Sequence, residues 1–106
     1  MQINDLLSLE DLKEIEQRSF DSPQFIFKHS TRCIISSMAL NRVKKSEVSL
    51  DFWLLDLLSY REISNRIAEQ YQVVHQSPQI LAIKSGKVVA FASHENIDAE
   101  FLISNV

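Results

Sequence analysis

The chain is poor in the residues that most often announce a function. Its 106 residues include one cysteine, one glycine and two prolines. The single cysteine, Cys33, excludes an internal disulfide framework and any zinc site built from several thiolates. It also points to reducing surroundings, because secreted domains of this size tend to be stapled. The single glycine, Gly86, excludes a phosphate-cradling P-loop and a dinucleotide fingerprint, which need several glycines at fixed spacing. No apolar run is long enough to span a bilayer, and Met1-Gln2-Ile3-Asn4-Asp5 lacks the basic start and long apolar core of a signal peptide. The net charge of −3 leaves no nucleic-acid footprint. His29, His75 and His94 lie in three separate segments without a His-x-x-x-His pair, so no metal site is expected. These absences predict a cytoplasmic protein with neither membrane nor nucleic acid as partner. An apolar content of 45 % in a chain of this length predicts one domain, 1–106, with a real core.

What is present reads as alternating helices and strands. Leu9, Leu12 and Ile15 predict a helix over 8–18, opened by Ser8 with Asp11 in a box-like arrangement. Ser19 to Pro23 ends it. Phe25-Ile26-Phe27 are consecutive, bulky and suited to a pleated surface, which predicts a strand over 24–29 covered on both faces. Ile35, Met38, Ala39 and Val43 predict a helix over 32–46, with Ser30 and Thr31 as its caps. Leu50-Asp51-Phe52-Trp53-Leu54-Leu55-Asp56-Leu57 predicts a second internal strand, with Trp53 in the core. Ser59 and Glu62 form a capping box before a helix over 60–71. Residues 79–84 and 87–93 flank Ser85-Gly86, the signature of a tight hairpin. Ile97, Phe101 and Leu102 predict a last helix over 96–104, capped by Asn96. The order is α-β-α-β-α-β-β-α: a parallel βαβ unit with right-handed crossover, then an antiparallel hairpin, with helices on both faces.

Two places have a physical claim on function. The first is the switch from strand to helix at Phe27-Lys28-His29-Ser30-Thr31-Arg32-Cys33. The dipole and free N–H groups of a helix start favour thiolate over thiol, and Lys28 and Arg32 add positive charge nearby in sequence. Ser36 and Ser37 share the helix face of Cys33 and come within reach of its sulfur. His29 and Cys33 are spaced so that a Cys–His pair is feasible. The second place is Val74-His75-Gln76-Ser77-Pro78-Gln79. Proline cannot donate to a sheet ladder, so Pro78 belongs at the mouth of a strand.

The chain resembles the monothiol bacilliredoxins of the YtxJ type, within the thioredoxin-like superfamily. The matching stretches are Phe27-Lys28-His29-Ser30-Thr31 leading to Cys33; Ile63-Ser64-Asn65 with Ile67-Ala68-Glu69; Val74 and His75 with Ser77-Pro78-Gln79; Ile83-Lys84 with Gly86-Lys87-Val88-Val89; and Ala92-Ser93-His94. They span residues 24 to 97. The resemblance implies an α/β, thioredoxin-like fold: a central four-stranded mixed sheet, βαβ then ββα, flanked by helices, with an extra N-terminal helix. It implies a cis Ser77–Pro78 bond and a redox role for Cys33. One departure stands out. The family's usual Thr-Cys-Pro-Ile reads Arg32-Cys33-Ile34-Ile35 here, so the proline that suits a first helical turn is replaced by Ile34.

The position three residues after Cys33 is Ser36, so no resolving thiol is at hand, and one-thiol exchange is what remains. The Cys33 thiolate attacks a mixed disulfide between a client protein and a small thiol. The expected roles are nucleophile for Cys33, and thiol or client binding for Thr31, Arg32, Ser77 and Pro78. The residues alone do not choose between bacillithiol, coenzyme A, cysteine and glutathione; the resemblance implies bacillithiol, as a co-substrate with no tightly bound cofactor. The partners implied are client proteins carrying mixed disulfides. The competing expectation is a non-catalytic thioredoxin-fold module, binding or redox-sensing, whose cysteine is packed or modified.

Overall fold

The elements run β1 (Gln2–Asp5), α1 (Leu9–Arg18), β2 (Gln24–His29), α2 (Ile34–Lys44), β3 (Asp51–Asp56), α3 (Arg61–Tyr71), β4 (Gln79–Lys84), β5 (Lys87–Ser93) and α4 (Ala99–Ser104), with a short 3-10 turn at His94–Asn96. They are those of a computed structural model that describes residues 2–106. The strands form one mixed sheet in the order β1-β3-β2-β4-β5. β2 pairs parallel with β3 and antiparallel with β4, and β5 closes an antiparallel hairpin on β4. This is the thioredoxin-like architecture, with one strand more than the four expected. The addition is β1, which lies parallel to β3 from Gln2 opposite Asp51 to Asp5 opposite Leu54. Gln-Ile-Asn-Asp shows neither a run nor an alternation of apolar residues, so nothing local predicts a strand; it forms because the open edge of β3 supplies partners for its backbone.

Side chains alternate across a strand, and β2 therefore feeds two cores. Ile26 faces one, with Leu12 and Ile15 of α1, Trp53 and Leu55 of β3, and Ile63 and Ile67 of α3. Phe25 and Phe27 face the other, with Ala39, Leu40 and Val43 of α2, Phe52 of β3, and Leu102 of α4. All six residues of β2 are buried, as a strand covered on both faces should be. Trp53 is core, and its indole N–H donates to Gln24 Oε1 at 2.9 Å.

The helix ends follow the predicted chemistry in part. Ser8 caps α1 by accepting from the Asp11 N–H at 3.1 Å, while Asp11 Oδ2 accepts from the Leu7 N–H at 3.0 Å. Ser59 does not cap α3. Its hydroxyl donates to Asp56 Oδ2 at 3.0 Å, and the cap position falls on Tyr60 without a side-chain bond. The predicted helix over 96–104 is split. The chain turns at His94, in the left-handed region at φ 55°, and Asp98 rather than Asn96 opens α4, accepting from the Phe101 N–H at 3.0 Å. Arg42 of α2 holds that turn: its Nε donates to the Ile97 carbonyl and its terminal nitrogen to the His94 carbonyl, both at 2.9 Å. The hairpin turn is as predicted. Ser85 and Gly86 both have positive φ, at 52° and 75°, the pairing that matches strand twist in a two-residue loop. It is tied to the end of α1, where Ser19 accepts from the Ser85 N–H through its carbonyl and from the Gly86 N–H through its hydroxyl, at 2.8 and 2.9 Å.

Candidate functional site

The carboxyl ends of β2 and β3 and the start of β4 lie at one end of the sheet. His29 pairs with Asp56 across β2 and β3, and Lys28 pairs with Gln79 across β2 and β4. One step beyond that last pair, Ser77–Pro78 stands level with His29. The turn Ser30–Cys33 leaves β2 from this same end. The two stretches singled out from sequence, whose Cys33 and Ser77 are 44 residues apart, are thus brought to one end of the sheet by the antiparallel register of β2 and β4.

Cys33 is the N-cap of α2, two positions after Thr31 and three after Ser30, the cap residues expected. Its backbone is extended, with φ −110° and ψ 119°, and no side chain caps the helix. Its N–H donates to the Ser30 carbonyl at 3.2 Å and its carbonyl accepts from the Ser37 N–H at 3.1 Å. The thiol is half-buried and free. Thr31 and Arg32 form an exposed turn beside it. Thr31 makes no cap: the cap position falls on Cys33, two residues after it. Ile34 is the first helical residue, where proline is favoured for its fixed φ but not required. Its side chain is 76 % exposed, and with the exposed Ile35 and Met38 it makes an apolar collar on the thiol's helix.

Ser36 and His29 do not serve the sulfur in the way their spacing allows. Ser36 is completely buried, and its Oγ lies 2.6 Å from His29 Nδ1 while accepting the Ser30 N–H at 3.1 Å. His29 is therefore partnered with the residue three after the cysteine, and the Cys–His pair is not formed. Burial pushes the His29 imidazole below its ordinary range; Asp56 works against that and Lys44 adds to it. Replacing Ser36 by alanine leaves a buried ring nitrogen and the Ser30 N–H without their partner. The expected cost is roughly 1–3 kcal/mol of stability, measured by urea unfolding.

Lys28 is also not where charge counting along the chain would put it. It alternates with Phe27 and His29, and so faces away from α2, into the side of the sheet covered by α1 and α3. It is fully buried, with its Nζ 3.3 Å from His75 Nδ1. Ser64 Oγ of α3 stands 3.4 Å from the same ring nitrogen. Burial lowers the Lys28 ammonium to about 8. Neither this pair nor Ser36–His29 was legible as a pair, since each joins residues whose contact is set by tertiary packing.

Ser77 is half-buried and Pro78 is buried at the entry of β4, and the bond between them is cis, as the resemblance implies. The Pro78 carbonyl accepts from the His94 N–H at 3.3 Å, so the turn held by Arg42 abuts the strand mouth. Among the described residues no group of three or more His, Cys, Asp or Glu side chains could hold a metal ion, and no helix is long and apolar enough to cross a membrane. A hollow of about 300 Å³ lies at the opposite end of the sheet, lined by Gln2, Ser22, Pro23, Leu50 and Asp51 among others, and shares no residue with the Cys33 turn.

The chain is similar to known proteins both in family and in fold. Residues 4–102 match the sequence profile of the family described as monothiol bacilliredoxin BrxC. Among solved structures, a candidate oxidoreductase with a thioredoxin fold superposes with a TM-score of 0.89 at 27 % identity, over 97 % of this chain and 92 % of that one. Thioredoxin from Malassezia sympodialis gives 0.75 at 16 % identity, covering 97 % of this chain and 86 % of its own. Thioredoxin from Trypanosoma brucei brucei gives 0.73 at 18 % identity, covering 98 % and 87 %. At those identities the two thioredoxins speak for the fold alone.

Proposed function

Because the chain belongs to the monothiol bacilliredoxin family, a family of thioredoxin-like thiol oxidoreductases, we propose that Cys33 removes a small thiol, bacillithiol, from mixed disulfides on client proteins. The observation that carries this reading is a free, half-buried thiol at the cap of α2, with a hydrogen-bonded serine where a second thiol would stand.

The step balances without an outside oxidant. The Cys33 thiolate attacks the small-thiol sulfur of the mixed disulfide. The bond between client and small thiol breaks, a new one forms to Cys33, and the client leaves as a thiolate that takes a proton from water. A second small thiol then attacks that sulfur, freeing Cys33 and carrying away the disulfide of the two small thiols. Ser77 and Pro78, at the mouth of β4, would lie along the extended part of the thiol. Arg32 would offer a cation to its anionic part, and the exposed Ile34, Ile35 and Met38 would meet apolar client surface. Thr31 would contact substrate from the turn, without a capping role.

Intact mass tests the reading. Protein treated with bacillithiol disulfide should gain one bacillithiol, on the peptide bearing Cys33, and lose it on addition of free bacillithiol. The same adduct should be recoverable after oxidation in cell extract. A thiol that stays unmodified while a free cysteine peptide reacts would leave the non-catalytic module as the better account.

A further inference from the structure

The Lys28–His75 contact lies outside the exchange step, and its chemistry is one-sided. A fully buried ammonium has three protons to donate and no lone pair. Buried cations are ordinarily paired with a carboxylate, yet the polar neighbour of Lys28 Nζ is a ring nitrogen, His75 Nδ1, at 3.3 Å. A nitrogen that accepts from an ammonium carries a lone pair. His75 is then neutral, and its proton sits on Nε2. His75 is an exposed residue, and Nδ1 is the ring nitrogen taken up by the buried lysine, which leaves Nε2–H free of that contact. Gln79, which pairs with Lys28 across the strands, keeps its amide on the Val74 carbonyl at 3.0 Å and so fastens the loop that carries His75.

We infer that Lys28 is a positioning residue that sets the tautomer of His75, and that His75 Nε2–H, two residues before Ser77–Pro78, recognises a carboxylate on the small thiol. The inference rests on the thiol-exchange reading above and adds a specificity residue for the thiol it takes. Lys28 from β2 and Arg61 from the start of α3 both act with burial to keep the imidazole from taking a second proton. A neutral donor fixed in a positive field holds a carboxylate and remains a donor over a broad pH range, whereas an unconstrained histidine would change charge near neutrality.

The test has two readouts. Nitrogen-15 spectra of the wild-type protein at pH 7 should show His75 with a protonated Nε2 and a bare Nδ1, and Lys28→Met should release it into a mixture of tautomers. A protonated Nδ1 or a doubly protonated ring in the wild type would overturn the inference, with no variant needed. The second readout is exchange with one client peptide carrying either mercaptosuccinate or 2-mercaptoethanol. The rate ratio between the carboxylate-bearing and the neutral thiol should fall about tenfold in His75→Phe, as expected for loss of one charge-assisted hydrogen bond, and by a smaller factor in Lys28→Met. An unchanged ratio in both variants overturns the recognition role. Failure of both mixed disulfides to exchange at Cys33 would overturn the exchange reading itself, and the recognition role with it, while the spectra would still report the tautomer.

Discussion

Cys33→Ser is expected to reduce removal of bacillithiol from a client mixed disulfide to the uncatalysed rate while leaving the fold in place. The change swaps sulfur for oxygen on a half-buried side chain that makes no hydrogen bond of its own. The helix cap is carried by the backbone of residue 33, whose contacts to Ser30 and Ser37 do not depend on the side chain. Serine is moreover a favoured N-cap residue, so stability should hold or rise, by up to about 1 kcal/mol. The measurement is release of bacillithiol from a defined client, followed by mass, beside a urea unfolding curve. A mutant that still clears the client would place the nucleophile elsewhere, and one that unfolds early would show a packing role instead.

Lys28→Met is expected to stabilise the protein at neutral pH by about 1–4 kcal/mol, the range found when buried charge gives way to an apolar side chain of similar volume. The lysine lies without a carboxylate partner in the core between the sheet and α1 and α3, and methionine fills a similar space. The sign can be checked against pH. Burial lowers the Lys28 ammonium from 10.5 to about 8. Between those values the unfolded chain keeps a proton that the folded chain has released, so the unfolded state binds more protons and wild-type stability rises with pH. Below about 8 the lysine is charged in both states and its burial cost is fully present. The window closes from above near 10, where Tyr71, pushed up to about 12 by burial and by Glu16, begins to act in the opposite direction. Unfolding free energies from pH 7 to pH 10 should therefore climb in the wild type and stay flatter in Lys28→Met. Equal slopes would mean that the ammonium is solvated in the folded protein. A residue that weakens the fold and yet sits beside the strand mouth is the pattern expected where stability is traded for function.

The core and the order of elements were legible because they rest on local pattern. The consecutive Phe25, Ile26 and Phe27 marked a strand buried on both faces, and Ser85-Gly86 marked the β4–β5 hairpin to the residue. Where the reading departed, partners distant in sequence decided the outcome. β1 has no pattern of its own and borrows β3. Ser59 had two uses for its hydroxyl, and Asp56 won over the helix end. Asn96 lost its cap to Asp98 because the turn at His94 is held by Arg42, 52 residues away. At the site, Cys33 and Ser77–Pro78 were singled out correctly as places, by a thiol at a helix start and a proline at a strand start. The contacts of the charged residues were not, because counting along the chain ignores the pleat: Lys28 is five residues from Cys33 and on the other side of the sheet from its helix.

The bond network under Ser36 has a consequence for how this chain could change. A single base-sized step in side-chain chemistry, oxygen to sulfur at position 36, would create a Cys-x-x-Cys pair. A thiol is a weak donor and a weak acceptor, so it would serve neither His29 nor the Ser30 N–H as the hydroxyl does. Its larger atom would also enter a site with no exposure to relieve it. A lineage that gained the second thiol would have to rebuild the end of β2 at the same time, which makes dependence on a borrowed sulfur a state that is hard to leave.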